Sequence, residues 1–495
     1  MSPFILLDRV SFSYDKSLSP VLEDLNISFD VGWTAVCGAN GCGKSTLLHL
    51  IQQDLNPDRG LVKRHGHIGF LRQDHGLTSC QMEELFEDYS KKALRLKRDL
   101  ELDALFLRSF SSLSPGEQKR MCLAFLLRQE LDILLVDEPT NHADQHTKGL
   151  LLHELKRFNG IGIMVSHDRE MLNGLASKTV FLDDKKAISI DAPFSLAVDE
   201  RVRREDHQRE LRENQLQAIK RRSKSLQRKS EMANKKAKCL SKRGVAKKDH
   251  DQKDRVNRAR LFGADKNDSR AQKVYRERLA RSVSELANLV VKKEYHLGAF
   301  FEPCSLVKPI FFEEQRVVKN HITIETPPIV LRAQFPVAIV GKNGSGKTTL
   351  LSHLASICPI KRFTHIPQEL SAGEKQALYT RVRHSNNEDK ARVLSLIRRL
   401  GSDPGSMADG LDLSPGLWQK MALAFAVLDS HPLMMLDEPT NHMDLTAIDL
   451  LERALKGYGG AVLLVSHDKE FVKNVCVEKI ELVRHGSCAR AEFVK

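Results

Sequence analysis

The residues with the clearest chemical meaning lie in two glycine-rich loops, each of which ends in a lysine and a hydroxyl side chain. The first loop reads GANGCGKS from Gly38 to Ser45, and the second reads GKNGSGKT from Gly341 to Thr348. A short apolar run precedes each loop, and a helical pattern follows it. Strand, glycine loop and helix start together form a concavity whose backbone N–H groups attract phosphate oxygens. The pattern therefore predicts two phosphate-binding loops of the P-loop type.

Each loop divides its predicted tasks among particular side chains. Lys44 and Lys347 are expected to reach the β- and γ-phosphates, while Ser45 and Thr348 offer hydroxyl groups to Mg²⁺. The predicted ligands are therefore ATP and Mg²⁺. The other positions expected to contact ATP are Gly38, Asn40, Gly41, Gly43 and Thr46 in the first loop, and Gly341, Asn343, Gly344, Gly346 and Thr349 in the second.

Two adjacent carboxylates follow an apolar run in each half of the chain. The run DILLVDE ends at Glu138, and the run LMMLDE ends at Glu438. We expect Asp137 and Asp437 to hold Mg²⁺, directly or through water. Glu138 and Glu438, one residue further on, are then placed to polarise the attacking water as general bases.

A histidine follows a further apolar run in each half: His167 in MVSHD and His467 in LVSHD. One isolated histidine of this kind is usually structural, but the repeat favours contact with the γ-phosphate or the attacking water. These two histidines lie 300 positions apart, as do Asp137 and Asp437. The sequence is therefore an internal duplication of one kind of domain.

The basic residues are concentrated between the two halves. The chain has a net charge of +13, whereas residues 199–294 contain 30 Lys or Arg against 15 Asp or Glu, which leaves −2 for the rest. The block from Lys220 to Lys248 contains 13 basic residues and a single acid, Glu231. A solvated linker is the plain interpretation of such a block. Its position between two phosphate-binding domains favours a nucleic-acid partner instead.

The basic segment also carries apolar residues at helical spacing. Between Leu211 and Leu240 they recur mostly every seven positions, and a second series runs from Tyr275 to Leu289. A glycine-containing break at 244–268 separates them. This pattern predicts two helices paired as an antiparallel coiled-coil hairpin. A first helix over 199–243 would be ~67 Å long.

The predicted fold class is α/β, with two P-loop NTPase domains joined by a long basic α-helical hairpin linker. The expected bounds are 1–192 and 306–495 for the two domains and 193–305 for the linker. Nine cysteines without a CxxC pair indicate reduced thiols and a cytoplasmic protein. No signal region and no apolar run near the roughly 18 residues of a membrane span is found, so we expect no membrane segment in this chain.

Two further repeated motifs identify a family resemblance. LSPGEQKR (Leu113 to Arg120) and LSPGLWQK (Leu413 to Lys420) precede DEPTNHAD and DEPTNHMD, respectively. These motifs resemble the signature and D-loop of ATP-binding cassettes. Two cassettes in one chain with a basic helical linker resemble the ABC-F family of ribosome-associated ATPases, and the resemblance covers almost the whole chain. It implies a monomer whose two cassettes pair head to tail, with each ATP between one P-loop and the other cassette's signature.

The resemblance assigns residues from both cassettes to each site. One site would combine Lys44, Ser45, Gln73, Asp137, Glu138 and His167 with Ser414 and Gly416. The other would combine Lys347, Thr348, Gln368, Asp437, Glu438 and His467 with Ser114 and Gly116. Gln73 and Gln368 would also contact Mg²⁺, and Tyr14 would stack on adenine.

Three features depart from the family pattern. Pro115 and Pro415 replace the first glycine of the common signature and remove one N–H donor at each site. Leu417 and Trp418 stand where the first cassette has Glu117 and Gln118, which puts hydrolysis at the site containing Ser414 in question. The sequence shows no counterpart of Tyr14 in the second cassette.

Three classes of function fit these motifs. In the favoured one, the chain binds the ribosome through rRNA or tRNA and regulates translation or confers antibiotic resistance. In the second, it is a DNA-associated ATPase, because charge alone does not distinguish RNA from DNA. The family branch tied to DNA, however, carries a basic C-terminal coiled coil, and only 28 residues follow His467 here. The third class, the ATP-binding subunit of a membrane transporter, has no use for the basic linker.

Overall fold

The computed structural model describes residues 2–14, 20–73, 76–103, 110–141, 143–239, 281, 308–319, 322–402, 413–485 and 488–494. The chain divides into two units. The first consists of Met1–Ala197 together with Tyr295–Lys495, and the second is Val198–Glu294. We call the described residues up to Ala197 the first cassette and those from Lys308 onwards the second cassette.

The first cassette contains two sheets and six helices. An antiparallel sheet has the strand order β2-β1-β4, and a second sheet has the order β5-β6-β7-β3-β8-β9 and is parallel except for β9. Its strands are β1 (Phe4–Phe12), β2 (Leu22–Phe29), β3 (Gly32–Gly38), β4 (Arg59–His65), β5 (Ile68–Leu71), β6 (Ile133–Asp137), β7 (Ile161–Val165), β8 (Lys178–Asp183) and β9 (Lys186–Ile190). Its helices are α1 (Lys44–Gln52), α2 (Ser79–Glu87), α3 (Lys91–Asp99), α4 (Pro115–Arg128), α5 (Gln145–Lys156) and α6 (Arg169–Leu175).

The second cassette repeats this arrangement around one larger sheet. Eight strands follow the order β11-β12-β19-β18-β14-β17-β16-β15, and β10 pairs with β13 beside them. The strands are β10 (Ile310–Phe312), β11 (Gln315–Lys319), β12 (Ile322–Thr326), β13 (Ile329–Leu331), β14 (Val337–Gly341), β15 (Thr364–Ile366), β16 (Leu433–Asp437), β17 (Ala461–Val465), β18 (Glu478–His485) and β19 (Cys488–Val494). The helices are α8 (Lys347–Ser356), α9 (Ala372–His384), α10 (Asn387–Arg399), α11 (Pro415–Asp429), α12 (Leu445–Lys456) and α13 (Lys469–Val475), numbered after the linker helix α7 described below.

The central parallel strands are buried along their whole length. Every residue of β6, β7, β16 and β17 is buried. Continuous apolar runs of this kind are typical of parallel strands that helices cover on both faces. The catalytic candidates follow directly at the carboxyl ends of these strands, where open α/β sheets bind their ligands. The core thus holds the functional side chains at one edge of each sheet.

The linker begins with one long helix, α7 (Phe194–Cys239). The sequence predicted a helix over 199–243. The structure confirms it over 199–239, with a start five residues earlier, and residues 240–243 lie outside the described part of the chain. Within α7 the side chains of Lys220, Arg221, Lys224 and Arg228 are exposed. The predicted hairpin tip at 244–268 and the second helix near 275–289 lie outside the described residues, apart from Arg281. In the part of the chain that the structure describes, no helix is long and apolar enough to cross a membrane.

Candidate active site

The two P-loops have the same backbone geometry. Gly43 and Gly346 each have a φ of 98° and immediately precede α1 and α8. A Cβ at Gly43 would lie 2.8 Å from Leu22 Cδ2, and one at Gly346 would lie 2.6 Å from Ile324 Cδ1. Both the left-handed backbone and the close packing therefore require glycine at these positions. This explains why the sequence motif fixes the loop shape so well.

The P-loop lysines lie folded over their own loops. Lys44 Nζ donates hydrogen bonds to the carbonyl oxygens of Gly38 and Ala39, at 2.9 and 3.0 Å. Lys347 Nζ donates in the same way to Gly341 and Lys342, at 2.9 Å each. Both ammonium groups are thus held above the cradle by the loop backbone, in the position from which they reach phosphate oxygens.

The paired hydroxyl and carboxylate groups form a site suited to Mg²⁺. The pKa of Asp137 is raised by burial, against a hydrogen bond from the Ser45 side chain. Asp437 shows the same direction of shift and a hydrogen bond from Thr348. In both aspartates the buried Oδ1 atom has no hydrogen-bond partner among the described residues. A hard cation with oxygen ligands fits such a buried, partnerless carboxylate oxygen beside a hydroxyl group.

The glutamates that follow these aspartates are held in a rare backbone conformation. Glu138 and Glu438 both have a φ of 46°, in the left-handed region. Their backbone N–H groups donate to the carbonyl oxygens of Val165 and Val465, at 2.9 and 2.8 Å. Strained backbone of this kind occurs mainly where function requires a particular side-chain position. Here it turns each carboxylate into the cavity beside the P-loop.

Burial sets the protonation of the two glutamates and their neighbouring histidines. It raises the pKa of Glu138 and of Glu438 to about 8. It lowers the pKa of His167 and of His467 to about 3, with further lowering by nearby lysines. The histidine Nε2 atoms lie 3.3 Å from Glu138 Oε1 and 3.5 Å from Glu438 Oε1. The imidazoles are therefore neutral at pH 7, whereas the carboxylate form of each glutamate, which is the form that acts as a general base, increases as the pH rises through about 8.

The D-loop of each cassette contacts the P-loop of the other. Asp444 caps α12 by accepting from Ala447 N with Oδ1, while its Oδ2 accepts from Asn40 N at 3.1 Å. Asn40 Nδ2 also donates to the carbonyl oxygen of His442, at 2.9 Å. On the other side, Asp144 Oδ2 accepts from Asn343 N at 3.4 Å. The two cassettes therefore face each other head to tail.

A cavity of about 1170 Å³ lies between the cassettes and collects most of the predicted site residues. Those that line it are Tyr14, Asn40, Gly41, Gly43, Lys44, Ser45, Thr46, Gln73, Asp137, Glu138, His167, Asn343, Gly344, Gly346, Lys347, Thr348, Thr349, Gln368, Ser414, Gly416, Glu438 and His467. The predicted residues that do not line it are Gly38, Ser114, Gly116, Gly341 and Asp437.

The two signatures differ in the way they meet this cavity. Ser114 Oγ donates to Glu117 Oε2 at 2.7 Å in a capping box at the start of α4, and only Pro115 of this signature lines the cavity. Ser414 lines the cavity and accepts from Leu417 N at 3.3 Å. Leu417 itself and the following tryptophan are buried in the apolar core of the second cassette. The departure at 417–418 is thus accommodated in the core, although Leu417 also reaches the cavity, and Ser414 remains part of the cavity lining.

Charged side chains join the cassettes between the two P-loops. We call this set the inter-cassette charge cluster: Lys148, Asp168 and Arg169 of the first cassette, and Asp449, Glu452 and Asp468 of the second. Arg169 pairs with Asp449 and, at 2.6 Å, with Glu452, and these Arg169 and Glu452 side chains are 11% and 9% exposed. Lys148 pairs with Asp168 at 2.6 Å. Although burial opposes its charge, Asp168 and Asp468 raise the pKa of Lys148 above its usual value.

We expect Arg169→Ala to weaken closure of the cassettes. Removing this guanidinium leaves the buried Glu452 carboxylate without its cation, and breaking such a pair costs about 2–5 kcal/mol. The ATP concentration for half-maximal closure should rise roughly 30-fold or more, since 1.4 kcal/mol corresponds to a factor of ten. Energy transfer between dyes on the two cassettes measures this. Lys469→Ala is the matched control, because its ion pair with Glu170 spans 3.8 Å with side chains 61% and 46% exposed. Equal shifts for both variants would contradict a role for the cluster.

Sequence reasoning did not identify the cluster or the cross-cassette role of the D-loop aspartates. The sequence did contain a signal for Asp144 and Asp444, because both halves of the chain have an aspartate at this position. Each aspartate accepts a hydrogen bond from the backbone N–H three residues later and so caps the helix that follows. Lys148 and Arg169 gave none, since cassette two has Ile448 and Lys469 at the equivalent positions. Arg169 meets its partners Asp449 and Glu452 only because the two cassettes pack against each other.

Comparisons with known proteins agree with this duplicated architecture. The family described as ABC transporter matches residues 22–141 and 330–441. Ribosome protection protein VmlR of Bacillus subtilis (strain 168) is 29% identical over 504 residues, covering 98% of this chain and 88% of that protein. Erythromycin resistance ATP-binding protein MsrA of Staphylococcus epidermidis is 27% identical, covering 93% of this chain and 95% of that protein. ATP-binding cassette sub-family F member 2 of Bos taurus is 26% identical, covering 95% and 78%.

Among solved structures, the chain is similar to the archaeal ribosome recycling factor aABCE1, which was solved in complex with the ribosomal stalk protein aP1. The TM-score is 0.64, and the match covers 98% of this chain and 89% of that chain. Sequence identity over this match is 17%. The likeness therefore concerns the fold.

Proposed function

We propose that this chain, which belongs to the ABC-F family of ATPases, binds the ribosome and uses ATP between its two cassettes to control that binding. The observation that carries the proposal is the basic helix α7, which follows the first cassette directly and exposes Lys220, Arg221, Lys224 and Arg228. A row of cations on an extended helix fits the phosphate backbone of RNA. Two relatives, one named as a ribosome protection protein and the other as an erythromycin resistance protein, support the same partner.

We propose two composite ATP sites. Site I contains the first P-loop with Asp137, Glu138 and His167 and faces the second signature. Site II contains the second P-loop with Asp437, Glu438 and His467 and faces the first signature. The remaining ATP contacts are those predicted from the sequence, and the cassettes and linker are taken to span 1–192, 306–495 and 193–305. Partnerships across the cavity support this arrangement, above all Asn40 with Asp444.

The geometry suggests a task for each group in site I. The loop N–H groups and Lys44 hold the phosphates, and Ser45 with Asp137 holds Mg²⁺, which would neutralise charge on the phosphate oxygens. Glu138 accepts the proton of the attacking water when it is ionised, and its pKa of about 8 lies near the operating pH of a general base. His167 is neutral and lies against Glu138, so it can orient the water without adding charge. The corresponding residues of site II do the same.

Hydrolysis would then control the contact between cassettes. The triphosphate adds negative charge between a P-loop and the opposite signature, and loss of the γ-phosphate weakens that bridge. The linker lies in the chain between the two cassettes, so its pose follows their spacing. We propose that ATP-closed cassettes present the basic helix to rRNA or tRNA in the cytoplasm, either to modulate translation or to protect the ribosome from an antibiotic.

Sedimentation with polyribosomes tests the partner. The chain, mixed with a slowly hydrolysed ATP analogue and Mg²⁺, is expected to pellet with ribosomes, and ribonuclease treatment that degrades rRNA should release it. Deoxyribonuclease should release nothing. Release by deoxyribonuclease alone would instead support the DNA-associated alternative, and failure to pellet in any condition would contradict the ribosome proposal.

A further inference from the structure

The hairpins that border the two P-loops have the same register. In the first cassette Phe12 of β1 pairs with Leu22 of β2, and in the second Val317 of β11 pairs with Ile324 of β12. Leu22 and Ile324 are equivalent because each packs against the last glycine of its own P-loop. Phe12 and Val317 are therefore equivalent as well, and both are buried.

Two residues beyond these equivalent positions, the cassettes differ. The first has Tyr14 and the second has Lys319, and both side chains line the cavity. Tyr14 is held by a 3.1 Å hydrogen bond between its hydroxyl and Thr46 Oγ1 and by an edge contact with Phe12. Lys319 is exposed and has no hydrogen-bond or ion-pair partner among the described residues. Among the described residues that line the cavity, Tyr14 alone carries a six-membered aromatic ring.

We propose that site II binds nucleoside triphosphates without selecting the base, because Lys319 takes the place that Tyr14 occupies in site I. This inference rests on the two proposed ATP sites. A tyrosine ring offers a flat apolar face, on which a purine stacks over a larger area than a pyrimidine. An ammonium group on a flexible stem is a hydrated point charge that offers no such face. Site II would therefore hold its ligand through the P-loop and the triphosphate alone.

Guanine and uracil are the informative bases for this proposal. Together with adenine they show why an ammonium group does not discriminate, because each base carries an edge atom that accepts a hydrogen bond from a lysine: N7 of adenine, N7 and O6 of guanine, and O4 of uracil. Lys319 thus has no reason to prefer adenine. At site I, in contrast, loss of stacking area should penalise UTP about tenfold relative to ATP.

Equilibrium binding of ATP, GTP and UTP to single-site variants of the full chain tests this. Lys44→Ala leaves site II to be measured, and Lys347→Ala leaves site I. We expect the three dissociation constants of site II to agree within about threefold, and site I to bind ATP about tenfold more tightly than UTP. Since the ratio is taken within one variant, a general loss of affinity cancels.

Two exchanges at the exposed positions complete the test. Lys319→Tyr, made in the Lys44→Ala chain, should give site II an ATP-over-UTP preference of about tenfold, and Tyr14→Lys in the Lys347→Ala chain should abolish that of site I. A tenfold preference of site II for ATP with Lys319 in place would overturn the inference and leave the ATP sites standing. If the unaltered chain bound no nucleoside triphosphate, the proposed ATP sites would fail, and this inference with them.

Discussion

An ATPase rate at least a hundredfold below that of the unaltered chain is the expected result of replacing Glu138 and Glu438 together with glutamine. A general base contributes about 10²- to 10⁴-fold to such a reaction. Glutamine keeps the size of the side chain and removes its ability to accept a proton. Because the phosphate-holding loops are untouched, the double variant should still bind ATP and keep its cassettes closed. Phosphate release at saturating ATP measures the rate. The amount of nucleotide that stays with the protein after gel filtration measures how much of the double variant is held in the ATP-bound, closed state.

The matched control is Glu369→Gln. Glu369 also lines the cavity, but it is exposed and follows β15, whereas the proposed bases follow β6 and β16. The ATPase turnover of the Glu369→Gln variant should stay within about twofold of that of the unaltered chain, since Glu369 takes no part in proton transfer. Turnover of the double variant at the unaltered rate would show that neither glutamate is the base. The single variants then report how turnover is divided between site I and site II.

The P-loops and strand-end acids could be read from the sequence because their chemistry is local. A glycine at φ 98° and a lysine that folds back over its own loop depend on residues within one loop and its neighbouring strand. The duplicated cassettes and most of α7 were predicted for the same reason. Periodicity and spacing along the sequence are sufficient to predict features that depend on residues close together in the chain.

The rest depended on contacts between residues far apart in the chain. Asp444 and Asn40 are 404 positions apart, and no pattern along the sequence announces their hydrogen bond. Lys319 could be matched with Tyr14 only through strand register, because the two hairpins differ in length: Leu22 follows its partner Phe12 by 10 positions, whereas Ile324 follows Val317 by 7. The signature residues Ser114 and Gly116 were assigned from the family pattern, yet neither residue lines the cavity. Family motifs therefore indicated the position of the cavity better than they indicated every residue that lines it.

Loss of ribosome affinity with a weaker dependence on salt is the second large effect, expected when Lys220, Arg221, Lys224 and Arg228 are all changed to glutamine. Each phosphate contact that is lost lowers the slope of log K against log salt by about 0.9. Four lost contacts would therefore flatten the slope by up to about 3.6, and affinity would fall most at low salt, where counterion release favours binding most strongly. Binding to purified ribosomes, measured at four or more salt concentrations with the ATPase-deficient double variant, gives both quantities.

A second quadruple variant separates the position of these charges from their number. Arg59, Lys63, Lys186 and Lys456 are exposed basic residues on the cassettes, and changing them to glutamine removes the same net charge. If α7 is the surface that contacts RNA, this control should keep nearly the original slope, because long-range attraction is screened beyond about 10 Å at 0.1 M salt. Equal losses in both variants would mean that net charge alone draws the chain to ribosomes. An unchanged slope in the α7 variant would return the basic block to a solvated linker and leave the cassettes as the place to look for the contact.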